Sequence, residues 1–358
     1  MKIIFSGGGT LGPVTPLLAM REMIMESDPN AEFLWVGTNR GPEKTLVEEA
    51  GVRFTALSSG KFRRYLSIWN IVDVVRIGIG FFQSIKLVWK EKPDVCISAG
   101  GFISVPLHWA AWLLGVPTWI HQQDLHIGLA NKLMQPVATK ITTATKDQVR
   151  LFPKKKSQWL GNPIRKELFE GSKKEAKKLF HLEDEIPTVF ATGGGTGSLR
   201  VNQLIIESIA HLEDVCQVIH LSGKERPQEL VEKTEKTFPD RYQVHQFFTH
   251  EMKHAYAAAD IVISRGGFGT LTEIAALGKI AIIIPKPGHQ VENVRYLEKK
   301  GAAIYVNERT DDGNYIAKTV KLLLQDKTHQ NQLREGLQKT LPPASAEDVK
   351  KILQTIIS

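Results

Sequence analysis

Residues 3–20 read IIFSGGGTLGPVTPLLAM: a β-branched apolar run, a glycine cluster, then apolar residues at helical spacing. A strand that passes through glycines into a helix is the opening unit of a doubly wound parallel sheet. Glycines allow close backbone approach to a ligand, and the start of the following helix offers unpaired N–H groups to anions. Pro13 falls at that start, where its missing N–H would be unpaired in any case. Gly7, Gly9 and Gly12 also satisfy the G-x-G-x-x-G pattern of dinucleotide-binding folds. That pattern needs an acidic residue at the end of the second strand to bond the ribose. The second strand, AEFLWVGTNRG (31–41), ends in Gly37–Thr38–Asn39–Arg40, with no carboxylate. A nicotinamide cofactor is therefore not expected. A tight structural turn and an anion-binding loop both remain open.

The same grammar recurs. VFATGGGTGSLRVNQLII (189–206) repeats strand, glycine loop and helix. Later in each half, DVCISAGGFISVPLHWAAWLLGVPTWI (94–120) and DIVISRGGFGTLTEIAALGKIAIII (260–284) both run strand, Gly-Gly-Phe, helix, glycine, strand. Asp94 aligns with Asp260, Gly100–Phe102 with Gly266–Phe268, and Ala99 with Arg265. Short β-branched runs alternating with helical patterns predict βαβ units. A length of 358 residues has room for about two domains. The lysine run and Gly161–Asn162–Pro163 interrupt the pattern. The expected layout is an N-terminal domain at 1–162, a C-terminal domain at 163–340, and a helix within 341–358 capped by Ser345 and packing back on the first domain.

Cys96 and Cys216 are far apart, which predicts neither a disulfide framework nor a zinc site and suits a reducing cytoplasm. The apolar N-terminal run is too short for a secretory signal. Residues 103–120 are strongly apolar, yet Pro106 and Gly115–Val116–Pro117 predict a short helix and a buried strand there, not a membrane span. The net charge of +8 favours an anionic partner: nucleic acid, acidic lipid or a phosphorylated ligand.

In the second half, Thr270, Thr272 and Glu273 lie in the opening turns of a helix that follows Gly266–Gly267. Glu273 there either stabilises the helix dipole or meets a ligand. His289, Gln290 and Asn293 follow a buried strand, at the sheet edge where α/β folds bind ligands. Arg165 is either a surface charge or a bidentate partner for a diphosphate.

With these motifs the chain resembles the MurG family of GT-B glycosyltransferases, which move N-acetylglucosamine from UDP to lipid I. The resemblance covers nearly the whole chain: GGTLGPVTP (8–16), SGKFRRY (59–65), SAGGFISVP (98–106), HQQDLHIGLAN (121–131), GNPIR (161–165), GGGTGSLRVNQ (193–203), SGK (222–224), AADIVISRGG (258–267), TLTEIAALG (270–278) and HQVEN (289–293). It implies two doubly wound α/β domains facing a central cleft, with UDP-sugar bound by the C-terminal one. Glu273 would take the ribose hydroxyls. Backbone at Phe248–Thr249 and around Phe268, Gly269 and Thr270 would hold uracil, with Leu271 and Thr272 also in the donor site. Gln290 would meet the donor sugar, and Arg165 with Gly194 and Gly195 the diphosphate. Gly9, Thr10, Leu11 and Gly12 would face the lipid-linked diphosphate of the acceptor. Such enzymes invert the anomeric centre without metal or cofactor, using amides and arginine to stabilise the leaving group.

The chain departs from that pattern at Pro13, where the family usually has histidine, at Gln122 in place of glutamate, and at Gly195 in place of serine. Proline cannot take a proton. Asp124, where many members of the family have asparagine, then either serves as the general base, with His121 and His126 behind it, or only orients the acceptor. Residues 60–92 mix Trp69, Ile79, Phe81, Phe82, Ile85 and Trp89 with Lys61, Arg63, Arg64, Arg76, Lys86 and Lys90. Such a face suits an anionic membrane surface, and together with the resemblance and the net charge of +8 it implies peripheral attachment to the inner leaflet at the cytoplasmic face and no nucleic-acid partner. Two alternatives keep the donor: transfer to another lipid such as diacylglycerol, and a catalytically impaired nucleotide-sugar-binding homologue.

Overall fold

The computed structural model describes every residue except Arg40, Ser59, 61–68, Thr196, Glu225, Pro239 and Ser358, and the side chains of 69–75 and Leu230. The chain divides into two compact units, Met1–Arg165 with Pro343–Ser358, and Lys166–Pro342.

The first unit holds seven parallel strands: β1 (Lys2–Ser6), β2 (Glu32–Gly37), β3 (Arg53–Ala56), β4 (Val95–Ser98), β5 (Thr118–Gln122), β6 (Lys140–Thr143) and β7 (Ser157–Trp159). Their spatial order is β3-β2-β1-β4-β5-β6-β7. β1 reads as a continuous apolar run because both faces of the sheet are covered. Ile3 and Phe5 join a core with Val14 and Leu17 of the helix Val14–Ser27, while Ile4 faces Leu34, Cys96 and Leu107 on the other side. The helix Ala346–Ile357 returns to this unit, burying Val349, Ile352, Leu353 and Ile356 in the Ile3 and Phe5 core. Ser345 caps it, with its Oγ accepting the Asp348 N–H at 3.1 Å.

The second unit holds β8 (Thr188–Thr192), β9 (Gln217–Leu221), β10 (Tyr242–His245), β11 (Ile261–Ser264), β12 (Ile280–Ile283) and β13 (Ile304–Tyr305), in the order β10-β9-β8-β11-β12-β13. The repeat seen in the sequence has a physical counterpart here. Asp94, just before β4, accepts the Lys2 N–H at 2.6 Å, and Asp260, just before β11, accepts the Thr188 N–H at 2.8 Å. In each unit this carboxylate fixes the register between the first strand and its crossover partner.

Residues 103–120 form the helix Ser104–Leu113, a turn at Gly115 (φ 74°) and the buried strand β5. Among the described residues no helix is long and apolar enough to cross a membrane.

Candidate active site

In the first unit the strand order reverses between β1 and β4, so the loops after these strands diverge and leave a crevice at the sheet's carboxyl edge. The glycines explain how closely those loops pack. Gly101 has φ 100°, and a Cβ there would lie 3.2 Å from the Gly8 nitrogen. Gly9, Thr10 and Gly12 are exposed. Leu11 is half-buried, and its carbonyl accepts the Val14 N–H at 3.0 Å, starting the helix. Pro13 serves as the N-cap, with no side-chain bond.

Asp124 follows β5. The Gln123 amide donates to the Gly12 carbonyl at 3.2 Å, bringing the Asp124 segment to the first glycine loop. Two further buried amides shape that segment. Gln122 Nε2 donates to the carbonyls of Asp124 (2.6 Å) and His126 (3.1 Å), while its Oε1 accepts from Asn131 at 2.7 Å. Gln148 Nε2 donates to the carbonyls of Gln123 (3.1 Å) and Asp124 (2.5 Å). An ionised glutamate at 122 would have no N–H for those carbonyls. The amide at 122 therefore suits this loop. Asp124 itself is half-buried and His126 exposed.

His121 does not fit the role expected of it. Its ring is fully buried, with Nδ1 2.9 Å from Thr142 Oγ1 and Nε2 3.0 Å from Asn162 Oδ1. Burial pushes its pKa down to about 4, so it stays neutral at pH 7 and both nitrogens are already engaged. It is a strut of the core, and Asp124 and His126 remain as the candidate bases.

The second unit places its switch point between β8 and β11. The loop after β8 carries Gly194 (φ 81°) and Gly197 (φ 70°), and Gly195 is exposed. A Cβ at Gly193 would overlap the backbone of Gly197 and Ser198. Ser198 caps the helix Leu199–Ile209 and also receives Arg265 Nε at 2.9 Å and Nη2 at 2.5 Å. Arg265 donates to the Ile284 carbonyl at 3.0 Å as well and pairs with the Glu308 carboxylate. Its guanidinium thus ties the glycine loop to the ends of β11 and β12.

After β11, Gly266–Gly267 leads into the helix Phe268–Ala276. The side chains of Phe268, Leu271 and Thr272 are buried, and Thr272 Oγ1 is spent on the Phe268 carbonyl at 2.7 Å. This stretch therefore offers a ligand its backbone, with Gly269 and Thr270 half-buried. Phe248 is core too, stacked on Phe190, and the N–H of exposed Thr249 is held by Glu251 at 2.7 Å. Half-buried Glu273 receives the hydroxyl of buried Tyr256 at 3.2 Å. Gln290 lies in the first turn of the helix His289–Lys299, its Nε2 4.0 Å from where a Cβ on Gly267 would sit. Gly266, Gly267, Glu273 and Gln290 are thus gathered at one sheet edge. Arg165 is half-buried and closes the first unit, whereas Gly194 and Gly195 belong to the second.

Gln148, Arg265 and Tyr256 were not singled out from the sequence. Only Gln148 left a local signal there: Thr145-x-x-Gln148 is a capping box, and its side-chain bonds are present.

Two successive doubly wound units, each with a glycine loop at its switch point, are the layout of a GT-B glycosyltransferase. Residues 3–143 match the N-terminal domain of glycosyltransferase family 28 and residues 188–353 its C-terminal domain, so the chain belongs to that family. It is 37% identical over 312 residues to the UDP-N-acetylglucosamine–N-acetylmuramyl-(pentapeptide) pyrophosphoryl-undecaprenol N-acetylglucosamine transferase of Shouchella clausii, covering 86% of each chain. A protein of the same name from Thermoanaerobacter sp. strain X514 is 32% identical over 363 residues, covering 99% of this chain and 100% of that one. The crystal structure of Acinetobacter baumannii MurG matches with a TM-score of 0.76 at 22% identity over 99% of both chains, a likeness of fold. The family resemblance and the two-domain α/β architecture read from the sequence are borne out.

Proposed function

We propose that this chain transfers N-acetylglucosamine from UDP-N-acetylglucosamine to the muramoyl 4-hydroxyl of undecaprenyl-diphospho-muramoylpentapeptide (lipid I), giving lipid II for peptidoglycan synthesis. The observation that carries this reading is the 32% identity to a transferase of that name across 99% of the chain. In the proposed mechanism Asp124 takes the proton of the incoming hydroxyl. The hydroxyl oxygen bonds to the anomeric carbon from the face opposite the leaving group, and the bond to the β-phosphate oxygen breaks to release UDP. Arg165 and the Gly194–Gly195 loop are assigned to the charge on the leaving diphosphate, and the backbone around Phe268–Thr270 to uracil. Glu273 takes the ribose and Gln290 the sugar. Incubation with radiolabelled UDP-N-acetylglucosamine and a lipid I analogue is expected to give labelled lipid II. Free sugar alone, no turnover, or label moving only to diacylglycerol would overturn the assignment.

The acceptor's lipid tail calls for a membrane surface, and the helix Trp69–Glu91 supplies a candidate. Ile79, Phe82 and Trp89 share one face and are 47%, 71% and 70% exposed, with Arg76, Lys86 and Lys90 also at the surface. The neighbouring helix Ser104–Leu113 packs against it and ends in exposed Trp112 and Leu113. Lys61, Arg63 and Arg64 lie outside the described residues, as does the Trp69 side chain. Burying one such aromatic is worth ~1.5–3 kcal/mol, so a double Phe82→Ser, Trp89→Ser variant is expected to bind anionic vesicles at least about tenfold more weakly. Flotation that ignores both the substitutions and the anionic lipid would refute peripheral attachment here.

A further inference from the structure

The Glu43 side chain, at the start of the short helix Glu43–Glu49, is fully buried. Its Oε1 accepts the Thr38 N–H at 2.7 Å and the Thr38 hydroxyl at 2.5 Å. Its Oε2 accepts the Gly9 N–H at 3.1 Å. The surroundings are cut to fit this carboxylate: a Cβ at Gly8 or at Gly41 would overlap it. Among the described residues, three neutral donors meet this carboxylate. Dinucleotide-binding folds aim an acidic group from the end of the second strand at a ribose. Here the acid comes from Glu43, beyond the end of β2 at Gly37, and it bonds the backbone of the glycine loop.

We propose that Glu43 is a positioning residue for the acceptor. By holding the Gly9 amide it fixes the first glycine loop, with φ 81° at Gly9, in the shape that presents exposed Thr10 and Gly12 and half-buried Leu11 to a lipid-linked diphosphate. Because that amide is spent on Glu43, the diphosphate is met by Thr10 to Gly12. This rests on the reading of residues 9–12 as the acceptor side, and the experiment separates the two.

Glu43→Gln keeps the shape and the Thr38 bonds but turns an NH2 toward the Gly9 N–H, setting two donors face to face. A charge-assisted bond lost this way is expected to raise KM for the lipid I analogue about tenfold to hundredfold while KM for UDP-N-acetylglucosamine stays unchanged. Thr38→Val removes one hydroxyl bond to the same carboxylate and is expected to raise the acceptor KM a few-fold, so it decides the matter should the glutamine variant fail to fold. Thr10→Glu tests the loop itself by placing a like charge before the diphosphate. If Thr10→Glu leaves the acceptor KM unchanged, the acceptor reading of the loop falls and the role of Glu43 with it. If Thr10→Glu raises it but folded Glu43→Gln does not, or Glu43→Gln lowers it, Glu43 alone loses its role. Donor and acceptor KM rising together would mark a merely structural carboxylate and overturn the proposal.

Discussion

Asp124→Asn is expected to lower kcat by about 10²–10⁴-fold while both KM values stay within a few-fold, the loss that follows removal of a general base. Asparagine has the shape of aspartate, and the bonds that Gln122 and Gln148 make go to the main-chain carbonyl of residue 124, so the loop survives the change. What disappears is the proton acceptor. The neighbourhood offers few substitutes. His121 is buried, neutral and bonded at both nitrogens, and Pro13 has nothing to protonate. Steady-state turnover with a lipid I analogue checks the prediction. An Asp124→Asn enzyme that keeps most of its kcat would reduce Asp124 to orienting the acceptor and turn attention to His126, whose carbonyl is held in the same amide network.

The fold was legible because each local signal agreed with its neighbour. The apolar run of β1, the glycine loop after it and the helix Val14–Ser27 all demanded one doubly covered parallel sheet. Asp94 and Asp260 stood at matching places in the sequence because the same backbone N–H needs an acceptor in both units. The break at Gly115–Val116–Pro117 correctly divided an apolar stretch into helix and strand.

The site was less legible, for a reason that periodicity cannot overcome. Pattern tells which face of a strand is buried, but not which atoms meet there. Glu43 reaches the Gly9 amide across 34 residues, and Gln148 reaches Asp124 across 24. Arg265, which the sequence only aligns with Ala99, sends its donors to Ser198, Ile284 and Glu308 inside the protein. His121 in a buried strand has the composition of a catalytic residue and the geometry of a strut. In every case the deciding fact is a long-range hydrogen bond that satisfies a buried polar group.

Glu273→Ala is expected to lower kcat/KM for UDP-N-acetylglucosamine by about 100-fold or more, almost entirely through KM. Two charge-assisted bonds to ribose hydroxyls, discounted for water regaining part of the site, amount to ~3 kcal/mol, and each ~1.4 kcal/mol is a factor of ten. The competing reading of Glu273 as a helix-dipole residue is weakened by its position. The helix begins at Phe268, and its first turn contains no acidic residue. Dipole stabilisation fades within that turn. Tyr256 strengthens the ligand reading, since its hydroxyl bonds Glu273 Oε2 at 3.2 Å and orients the carboxylate. Tyr256→Phe is accordingly expected to cost about fivefold in the same constant, near the ~1 kcal/mol of one hydrogen bond. Donor analogues separate the readings cleanly. The wild-type enzyme should lose about tenfold on 2′-deoxyribose UDP-N-acetylglucosamine, whereas Glu273→Ala, having no carboxylate to leave unpaired, should scarcely distinguish the two donors. Equal discrimination by both enzymes, or a Glu273→Ala variant with lowered Tm and an unchanged donor KM, would remove Glu273 from the ribose and return it to the helix.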